Sequence, residues 1–186
     1  MQTEDHNPAR EPTGWDPATP FETVVAAHQR ELLAHALRIL GERTLAEDVL
    51  QETFLKAYRA LTGLPEGSNI RAWLYRILVN TSYDKLDRQK TRQKAMESLR
   101  ETAERQTTEV EETGLPEDVR RQVEDAIRSL PEKYRGALLL RSIQGLPYSG
   151  VAEALAIPET TARSLVHRGK GLLLPKLTHL LKDIDF

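Results

Sequence analysis

Apolar side chains recur every three or four residues in the first half of the chain, and this spacing predicts amphipathic helices rather than strands. The first helix is expected to begin at Phe21 and to stop at Gly41, because glycine favours the left-handed conformation that ends many helices. Thr44 followed by Glu47 is typical of a capping box, in which the two side chains satisfy free backbone N–H groups. The second helix is then expected to run to about Leu61.

A third, long helix follows a stretch of turn-forming residues. The sequence TGLPEGSN, residues 62–69, is rich in glycine, proline and small polar residues and predicts a loop. Ser68 or Asn69 can cap the helix that follows, which is expected to run to about Lys90. Trp73 lies on the apolar stripe of this helix, so it is expected to pack in the core.

The apolar repeat resumes near the end of the chain in shorter helices. Pro116 and Pro131 can each stand at a helix N-terminus. The turn of residues 156–158 separates two short helices, the second of which begins at Glu159 and is ended or kinked by Pro175. Two short helices joined by a three-residue turn are typical of a helix-turn-helix.

These patterns predict an all-α chain made of two small helical domains joined by a linker, each domain a lobe on a tether. The first twenty residues carry four prolines and almost no aliphatic side chains, and they are expected to form a flexible tail. The predicted divisions are a tail over 1–20, a helical domain over 21–90, an acidic linker over 91–115 and a helix-turn-helix domain over 116–182. The sequence does not fix how the two domains are placed relative to each other.

The composition argues against most catalytic chemistry. The 186 residues include no cysteine, which excludes disulfides, thiol catalysis and cysteine-based zinc sites. The five histidines show no metal-ligand spacing, and no glycine-rich phosphate loop or nucleophile elbow is present. We therefore expect no enzyme activity, no catalytic residue, no cofactor and no bound metal.

The charge is unevenly distributed. The net charge is −2 overall, but residues 20–95 carry 12 bases and 9 acids, and residues 120–186 carry 11 bases and 7 acids. Residues 96–119 between them carry 2 bases and 8 acids. Two basic blocks around an acidic segment are a weak indication of nucleic-acid contact.

The second helix of the predicted helix-turn-helix has a polar face of the kind that fits a DNA major groove. It offers short hydroxyls, an imidazole and three bases, which can bond base edges and neutralise phosphates. The same face could instead be a solvated basic surface of a helical bundle. The candidate residues are Thr160, Thr161, Arg163, Ser164, His167, Arg168 and Lys170.

An acidic cluster marks the second helix of the first domain. Its four members lie at positions i, i+1, i+4 and i+5, so they share one face of the helix. Such a face suits an arginine-rich partner helix, although a merely solvated face is also consistent with the pattern. The cluster comprises Glu47, Asp48, Gln51 and Glu52.

The third helix carries residues suited to an unpaired nucleotide. Asparagine and arginine can read an exposed base edge, and tyrosine can stack on a base. The loop of residues 62–69 could form one wall of a pocket for an extruded base. Partial core packing is the alternative for the two tyrosines. The candidates are Tyr75, Arg76, Asn80, Tyr83, Lys85 and Arg88.

Three stretches in this order resemble the extracytoplasmic-function (group IV) sigma factors of bacteria. They are AEDVLQETFLKAYRAL (46–61), NIRAWLYRILVNTSYDKL (69–86) and RSLPEKYRGALLLRSIQGLPYSGVAEALAIPETTARSLVHRGK (128–170). The resemblance covers about residues 21 to 175. It implies a cytoplasmic protein that directs core RNA polymerase to specific promoters.

The resemblance also implies roles for the candidate residues. The acidic cluster falls where such factors dock on the clamp coiled coil of the β′ subunit, with the β subunit as a further contact. The polar face of the third helix and the loop before it fall where the melted −10 strand is read. The polar face of the last helix falls where the −35 duplex is read, and the acidic linker would thread towards the RNA exit path. An anti-sigma factor is a possible further partner, and a sigma-like decoy that binds only an anti-sigma factor is the alternative function.

The helix-turn-helix departs from the family pattern at several positions. Leu165 stands where the family usually has an arginine, and Gly169 replaces a usual alanine, which weakens the helix by roughly 1 kcal/mol. Ala156 replaces a common turn glycine, and Pro147 belongs to an unusual entry to the first helix of the motif. These departures bear on the −35 preference.

Overall fold

The computed structural model describes residues 14–97 and 117–178, and these residues fold into α-helices without strands. The helices are short to medium in length, apart from one of 28 residues. A short 3-10 helix, Leu61–Gly63, follows the second α-helix. The α-helices are α1 (Phe21–Leu40), α2 (Arg43–Ala60), α3 (Ile70–Glu97), α4 (Glu117–Arg128), α5 (Glu132–Ser142), α6 (Tyr148–Leu155) and α7 (Glu159–Leu177).

The first lobe packs α1, α2 and α3 around a shared apolar core. Leu32, Val49 and Leu74, one from each helix, are completely buried. Gly41 ends α1 with a left-handed φ of 75°, as expected of a C-terminal glycine. Asn69 caps α3, since its Oδ1 accepts the backbone N–H of Ala72 at 3.0 Å.

The expected capping box at the start of α2 is wrong. The helix begins at Arg43, two residues earlier than the box requires, and its N-cap residue, Glu42, makes no side-chain hydrogen bond. Glu47 accepts a hydrogen bond from Arg43 Nε at 2.7 Å. The carboxylate is therefore held by an ion pair along the helix rather than by a backbone N–H.

Part of the predicted tail is an anchored segment. Trp15 is only 5% exposed and belongs to the core of the first lobe. Its backbone N–H donates to Ser68 O at 2.8 Å, and its carbonyl accepts from Gly67 N–H at 2.8 Å. Periodicity could not reveal this contact because a single tryptophan among prolines carries no repeat. Residues 1–13 of the predicted tail lie outside the described residues.

The third helix enters the predicted linker. It was expected to end near Lys90, but α3 continues to Glu97. The composition of 91–97 lacks an apolar stripe and yet favours helix, which agrees with the longer α3. The rest of the predicted linker, residues 98–115, lies outside the described residues.

The second lobe consists of α4 to α7. Here α5 and α7 cross closely at Gly169, where an added Cβ would lie 3.2 Å from Tyr134 O. The turn between α6 and α7 contains Ala156 in the left-handed region, with φ 52°. Pro175 was expected to kink or end the last helix, but α7 continues to Leu177. The described part of the predicted domain ends at residue 178.

The two lobes lie against each other, and their buried apolar residues form one continuous cluster. The expected separation of two lobes on a tether is therefore not what this structure has. Polar contacts join α3 to the second lobe: Arg71 Nη2 donates to Gln144 O at 2.9 Å, and Tyr75 OH donates to Gln144 Oε1 at 2.9 Å. Tyr83 OH donates to Glu132 O at 2.7 Å. The interface between the lobes is therefore made in part by polar side chains of α3, which the sequence pattern alone could also place in solvent or against DNA.

Within the two described stretches, every helix is too short or too polar to cross a lipid bilayer.

Candidate nucleic-acid and polymerase interface

The polar face of α7 points to solvent at the surface of the second lobe. Its apolar side, with Ala162 and Val166 buried, packs against α5 and α6 and fixes the orientation of the helix. All seven predicted −35 residues are exposed: Thr160, Thr161, Arg163, Ser164, His167, Arg168 and Lys170.

Arg163 is held in place by two neighbours. Its Nη2 and Nε atoms lie 2.6 and 3.1 Å from Glu159 Oε1. Its guanidinium carbon lies 4.3 Å from the centre of the Tyr148 ring, and Arg141 lies 4.8 Å from the same ring. Glu159 does not cap the helix, because its carboxylate is used by Arg163. The arginine is thus exposed and oriented at the start of the helix.

A pocket of about 340 Å³ opens between α2 and α3. Its lining includes arginine, asparagine, threonine and lysine groups that can bond a base edge or a phosphate. It also includes apolar side chains, among them a tryptophan. The pocket is lined by Lys56, Ala60, Trp73, Arg76, Ile77, Asn80 and Thr81.

The pocket brings together only part of the predicted −10 set. Arg76 and Asn80 line it, and Lys85 lies one helical turn beyond Thr81. Arg88 is exposed further along α3. The expected wall from loop 62–69 is replaced by the end of α2.

Tyr75 and Tyr83 do not face a DNA strand in this arrangement. Tyr75 is completely buried, with the His35 ring centre 5.1 Å from its own, and burial raises the pKa of its hydroxyl. Tyr83 is half-buried under α5, and burial raises the pKa of its hydroxyl to about 12. The prediction of tyrosines that stack on bases is wrong for this arrangement, because α3 packs against α1, α2 and α6 and has little free surface at these positions.

The acidic cluster of α2 lies on one accessible face, as expected. Asp48 and Gln51 are exposed, while Glu47 and Glu52 are partly covered. Glu52 pairs with Lys56 at 2.7 Å, and this hydrogen bond is the main cause that holds the pKa of the Glu52 carboxyl below its ordinary value. Leu55, 57% exposed, extends the face with an apolar side chain.

Sequence reasoning missed some of the pocket residues. Trp73 was expected in the core, yet it is half-buried and lines the pocket. Its spacing of seven from Asn80 places the two on one face of α3, and this was the available signal. Lys56 and Thr81 come from different helices and had no sequence signal that joined them.

The described residues, 14–97 and 117–178, contain no group of three histidine or acidic side chains that could hold a metal ion.

The two lobes coincide with two known sequence families. The Sigma-70 region 2 family matches residues 24–92, and the Sigma-70 region 4 family matches residues 120–173. The RNA polymerase sigma-H factor of Pseudomonas aeruginosa is 32% identical over 171 residues, which cover 88% of this chain and 89% of that protein. A further relative is the ECF RNA polymerase sigma-E factor of Haemophilus influenzae, 32% identical over 169 residues, which cover 87% of this chain and 89% of the relative. The chain belongs to the extracytoplasmic-function sigma factors.

Solved structures share the fold of this sigma factor. The sigma factor RpoE of Bartonella quintana, in complex with the anti-sigma factor NepR, matches with a TM-score of 0.71 and 23% identity over 85% of this chain and 96% of that one. CnrH, in complex with the cytosolic domain of CnrY, matches with a TM-score of 0.60 and 24% identity over 89% of each chain. Sigma factors bind core RNA polymerase and promoter DNA and direct transcription initiation, and this is the function of the chain.

Proposed function

We propose that this sigma factor divides promoter recognition between two surfaces, one for paired and one for unpaired DNA. The observation that carries the proposal is the exposure of the whole polar face of α7 at the end of a helix-turn-helix. A helix in this setting enters the major groove with its N-terminal residues towards the bases. Arg163 and Arg168 then supply the donors that match guanine O6 and N7 in the −35 duplex.

The second surface is the pocket between α2 and α3. Asn80 and Arg76 offer donors and an acceptor to the edge of an extruded base of the −10 element, and Trp73 offers a ring for stacking. Lys85 and Arg88 continue along α3 and would follow the phosphates of the same strand. The presence of polar groups and an aromatic ring in one lining supports this assignment.

The acidic face of α2 is proposed to dock on the β′ clamp of core polymerase. Carboxylates on one helix face suit arginine side chains, which bind them in a bidentate manner. The exposed Leu55 beside them offers apolar contact. Core polymerase then supplies the chemistry of RNA synthesis, and the sigma factor itself is not an enzyme.

The place of action follows from the targets. Promoter DNA and core polymerase are in the bacterial cytoplasm, and we place the sigma factor there. Both structural neighbours described above are bound to partner proteins, and NepR is named as an anti-sigma factor. An anti-sigma factor is therefore a proposed partner of this chain as well.

The reading helix is tested by Arg163→Ala and Arg168→Ala in transcription assays with core polymerase. The promoter would first be selected from a random DNA pool. Each change is expected to remove one arginine contact and to weaken promoter binding by about 1–3 kcal/mol, or roughly 5- to 150-fold. Lys176→Ala is the matched control, because it removes the same charge from the exposed end of the same helix. Normal initiation by both arginine variants would show that α7 is not the reader.

The docking face is tested by reversing Asp48 and Glu52 to lysine and measuring affinity for core polymerase. Four units of charge change on one face should weaken binding at least tenfold, because buried like charges repel strongly. Glu66→Lys, an exposed acid in the loop before α3, is the control. If the double variant binds core polymerase with unchanged affinity, the acidic face of α2 is not the docking surface.

The alternative of a decoy makes the opposite prediction for the wild-type chain. A decoy would bind an anti-sigma factor but would support no initiation with core polymerase. The exposed basic face of α7 favours an active sigma factor, because a decoy that binds only an anti-sigma factor does not need a DNA-binding surface.

A further inference from the structure

A row of ion pairs in the groove between α2 and α3 joins the docking face to the pocket. Asp48 Oδ2 lies 3.3 Å from Lys85 Nζ, across the two helices. Glu52 Oε1 lies 2.7 Å from Lys56 Nζ, and Lys56 Nζ donates to Thr81 Oγ1 at 3.0 Å across the same groove. The acids and bases of the two surfaces are thus one another's partners in the free chain.

This pairing matters because each group has a second proposed partner. Asp48 and Glu52 belong to the face that docks on polymerase. Lys56 lines the pocket and Lys85 lies one turn beyond it, where both can meet the phosphates of an unpaired strand. A lysine held by a carboxylate neutralises a phosphate less well, and a carboxylate held by a lysine attracts an arginine less well.

We propose that docking on polymerase takes Asp48 and Glu52 away from Lys85 and Lys56 and so frees these lysines to bind the single strand. The inference rests on the proposed function of the two surfaces and adds a coupling between them. A bidentate arginine holds a carboxylate more firmly than a lysine on a mobile stem does, which favours the exchange. The exchange makes polymerase and DNA cooperative partners of the chain.

The size of the effect follows from the exposure of the pairs. Side chains of all four residues are between 32% and 55% exposed, so each pair is weak. Release of one lysine is therefore expected to change DNA affinity by about 1.5- to 5-fold. The lowered pKa of the Glu52 carboxyl, caused first by Lys56 and further by Arg88 and Lys85, is consistent with this mutual attraction.

Glu47 provides a matched control on the same face. It carries the same charge as Glu52, but its partner is Arg43, whose Nε lies 2.7 Å away at the start of α2. Neither residue lines the pocket. Neutralising Glu47 therefore changes the charge of the face without freeing a lysine at the pocket.

The first experiment measures binding of the full chain, without polymerase, to short fluorescent single-stranded DNA of random sequence. Asp48→Asn and Glu52→Gln should each tighten binding by about 1.5- to 5-fold and steepen its salt dependence by up to about 0.7 per freed lysine. Glu47→Gln should gain clearly less. Adding Lys85→Gln to Asp48→Asn, or Lys56→Gln to Glu52→Gln, should abolish the gain. Equal gains for Glu47→Gln, or gains that survive loss of the lysine, would overturn the coupling.

The second experiment measures affinity for core polymerase. Coupling between two binding sites is reciprocal. Saturating single-stranded DNA should therefore raise the affinity of the wild type for core by the same factor by which release of the two lysines raises its affinity for DNA. The Lys56→Gln, Lys85→Gln double variant should lose this response. If the wild type binds core and initiates but shows neither effect, the coupling is wrong and the proposed function stands. If the wild type neither binds core nor initiates, the proposed function fails, and the coupling fails with it.

Discussion

His35 is completely buried in the first lobe, and neither ring nitrogen has a hydrogen-bond partner among the described residues. The pKa of its imidazole is lowered from 6.5 to about 3, mainly by burial and to a smaller extent by the nearby Arg38 charge, while Glu31 opposes the shift. Its ring meets Tyr75 edge to face. The histidine therefore behaves as a neutral core residue whose two polar atoms are unsatisfied.

This burial makes stability depend on pH. Between pH 6.5 and about 3 the unfolded chain takes up a proton on His35 that the folded chain does not, so stability falls as the pH falls through this range. We predict that His35→Leu stabilises the chain, and by about 2 kcal/mol more at pH 5 than at pH 7.5. Urea denaturation at the two pH values measures the difference.

The exposed His167 supplies the control. It is exposed on α7, so His167→Leu replaces a histidine without removing a buried imidazole, and the two variants are compared at both pH values. A pH-independent effect of His35→Leu would show that the imidazole is not the buried neutral group described above.

A glycine pair tests the packing at the element scale. Gly169 and Gly171 both lie inside α7, where alanine is favoured by about 1 kcal/mol over glycine. An added Cβ has open space at Gly171, but at Gly169 it would lie 3.2 Å from Tyr134 O and 3.5 Å from Leu138 Cβ. Gly171→Ala is therefore expected to stabilise by about 0.5–1 kcal/mol, and Gly169→Ala to gain less or to lose stability. Thermal unfolding compares the two directly, and an equal gain at both sites would contradict the close helix crossing.

Gly169 was expected only to weaken α7, but it also allows the close approach of α5. Local propensity identifies the missing side chain but cannot show that α5 approaches it. The same limit explains Ala156, which the sequence marks as a departure from glycine and the structure places at a left-handed φ of 52°. For an alanine such a conformation costs roughly 1 kcal/mol.

Helices were predictable from the sequence because each has an apolar stripe of period 3.6, and the pairs α1–α2 and α6–α7 followed from Gly41 and the three-residue turn. The exposed face of α7 was also predictable, because the apolar residues that face the core determine which polar residues lie on the opposite side of the helix. The side chains of α3 that are covered by neighbouring helices could not be predicted from the sequence. A helix that contacts α1, α2 and α6 buries residues around most of its surface, so Tyr75 on its polar side could not be told from a DNA-facing residue.

At the scale of the whole molecule, the lobe contact combines the shared apolar cluster with single polar side chains that bind backbone carbonyls. Arg135 Nη1 donates to Ile39 O at 3.0 Å, and Tyr83 OH donates to Glu132 O at 2.7 Å. Lys90 pairs with Glu132 beside the latter contact. Such bonds add only about 1 kcal/mol each, so a steric change at the contact should disturb it more than the loss of one hydrogen bond.

Gly136 is the position for that change. It is buried in α5, and an added Cβ would lie 2.6 Å from the Tyr83 hydroxyl oxygen, so close that the Tyr83 side chain would have to move. We predict that Gly136→Ala pushes Tyr83 and α3 away from α5 and opens the lobes, at a cost of about 1–3 kcal/mol to the contact. Because the chain has no cysteine, dyes can be attached to cysteines introduced at the exposed Thr62 and Thr178. The transfer efficiency between the dyes should change in the variant.

Tyr83→Phe separates this steric effect from any damage to α5. Without the hydroxyl, the nearest ring atom stands 3.6 Å from the added Cβ, an ordinary contact distance. The Gly136→Ala, Tyr83→Phe double variant should therefore regain most of the wild-type transfer efficiency, although Tyr83→Phe alone loses one hydrogen bond. Alanine inside a helix stabilises that helix, so opening by Gly136→Ala cannot come from a weakened α5. If Gly136→Ala leaves the transfer efficiency unchanged, the lobes are not held through this contact in solution, and the placement of α3 against the second lobe would have to be revised.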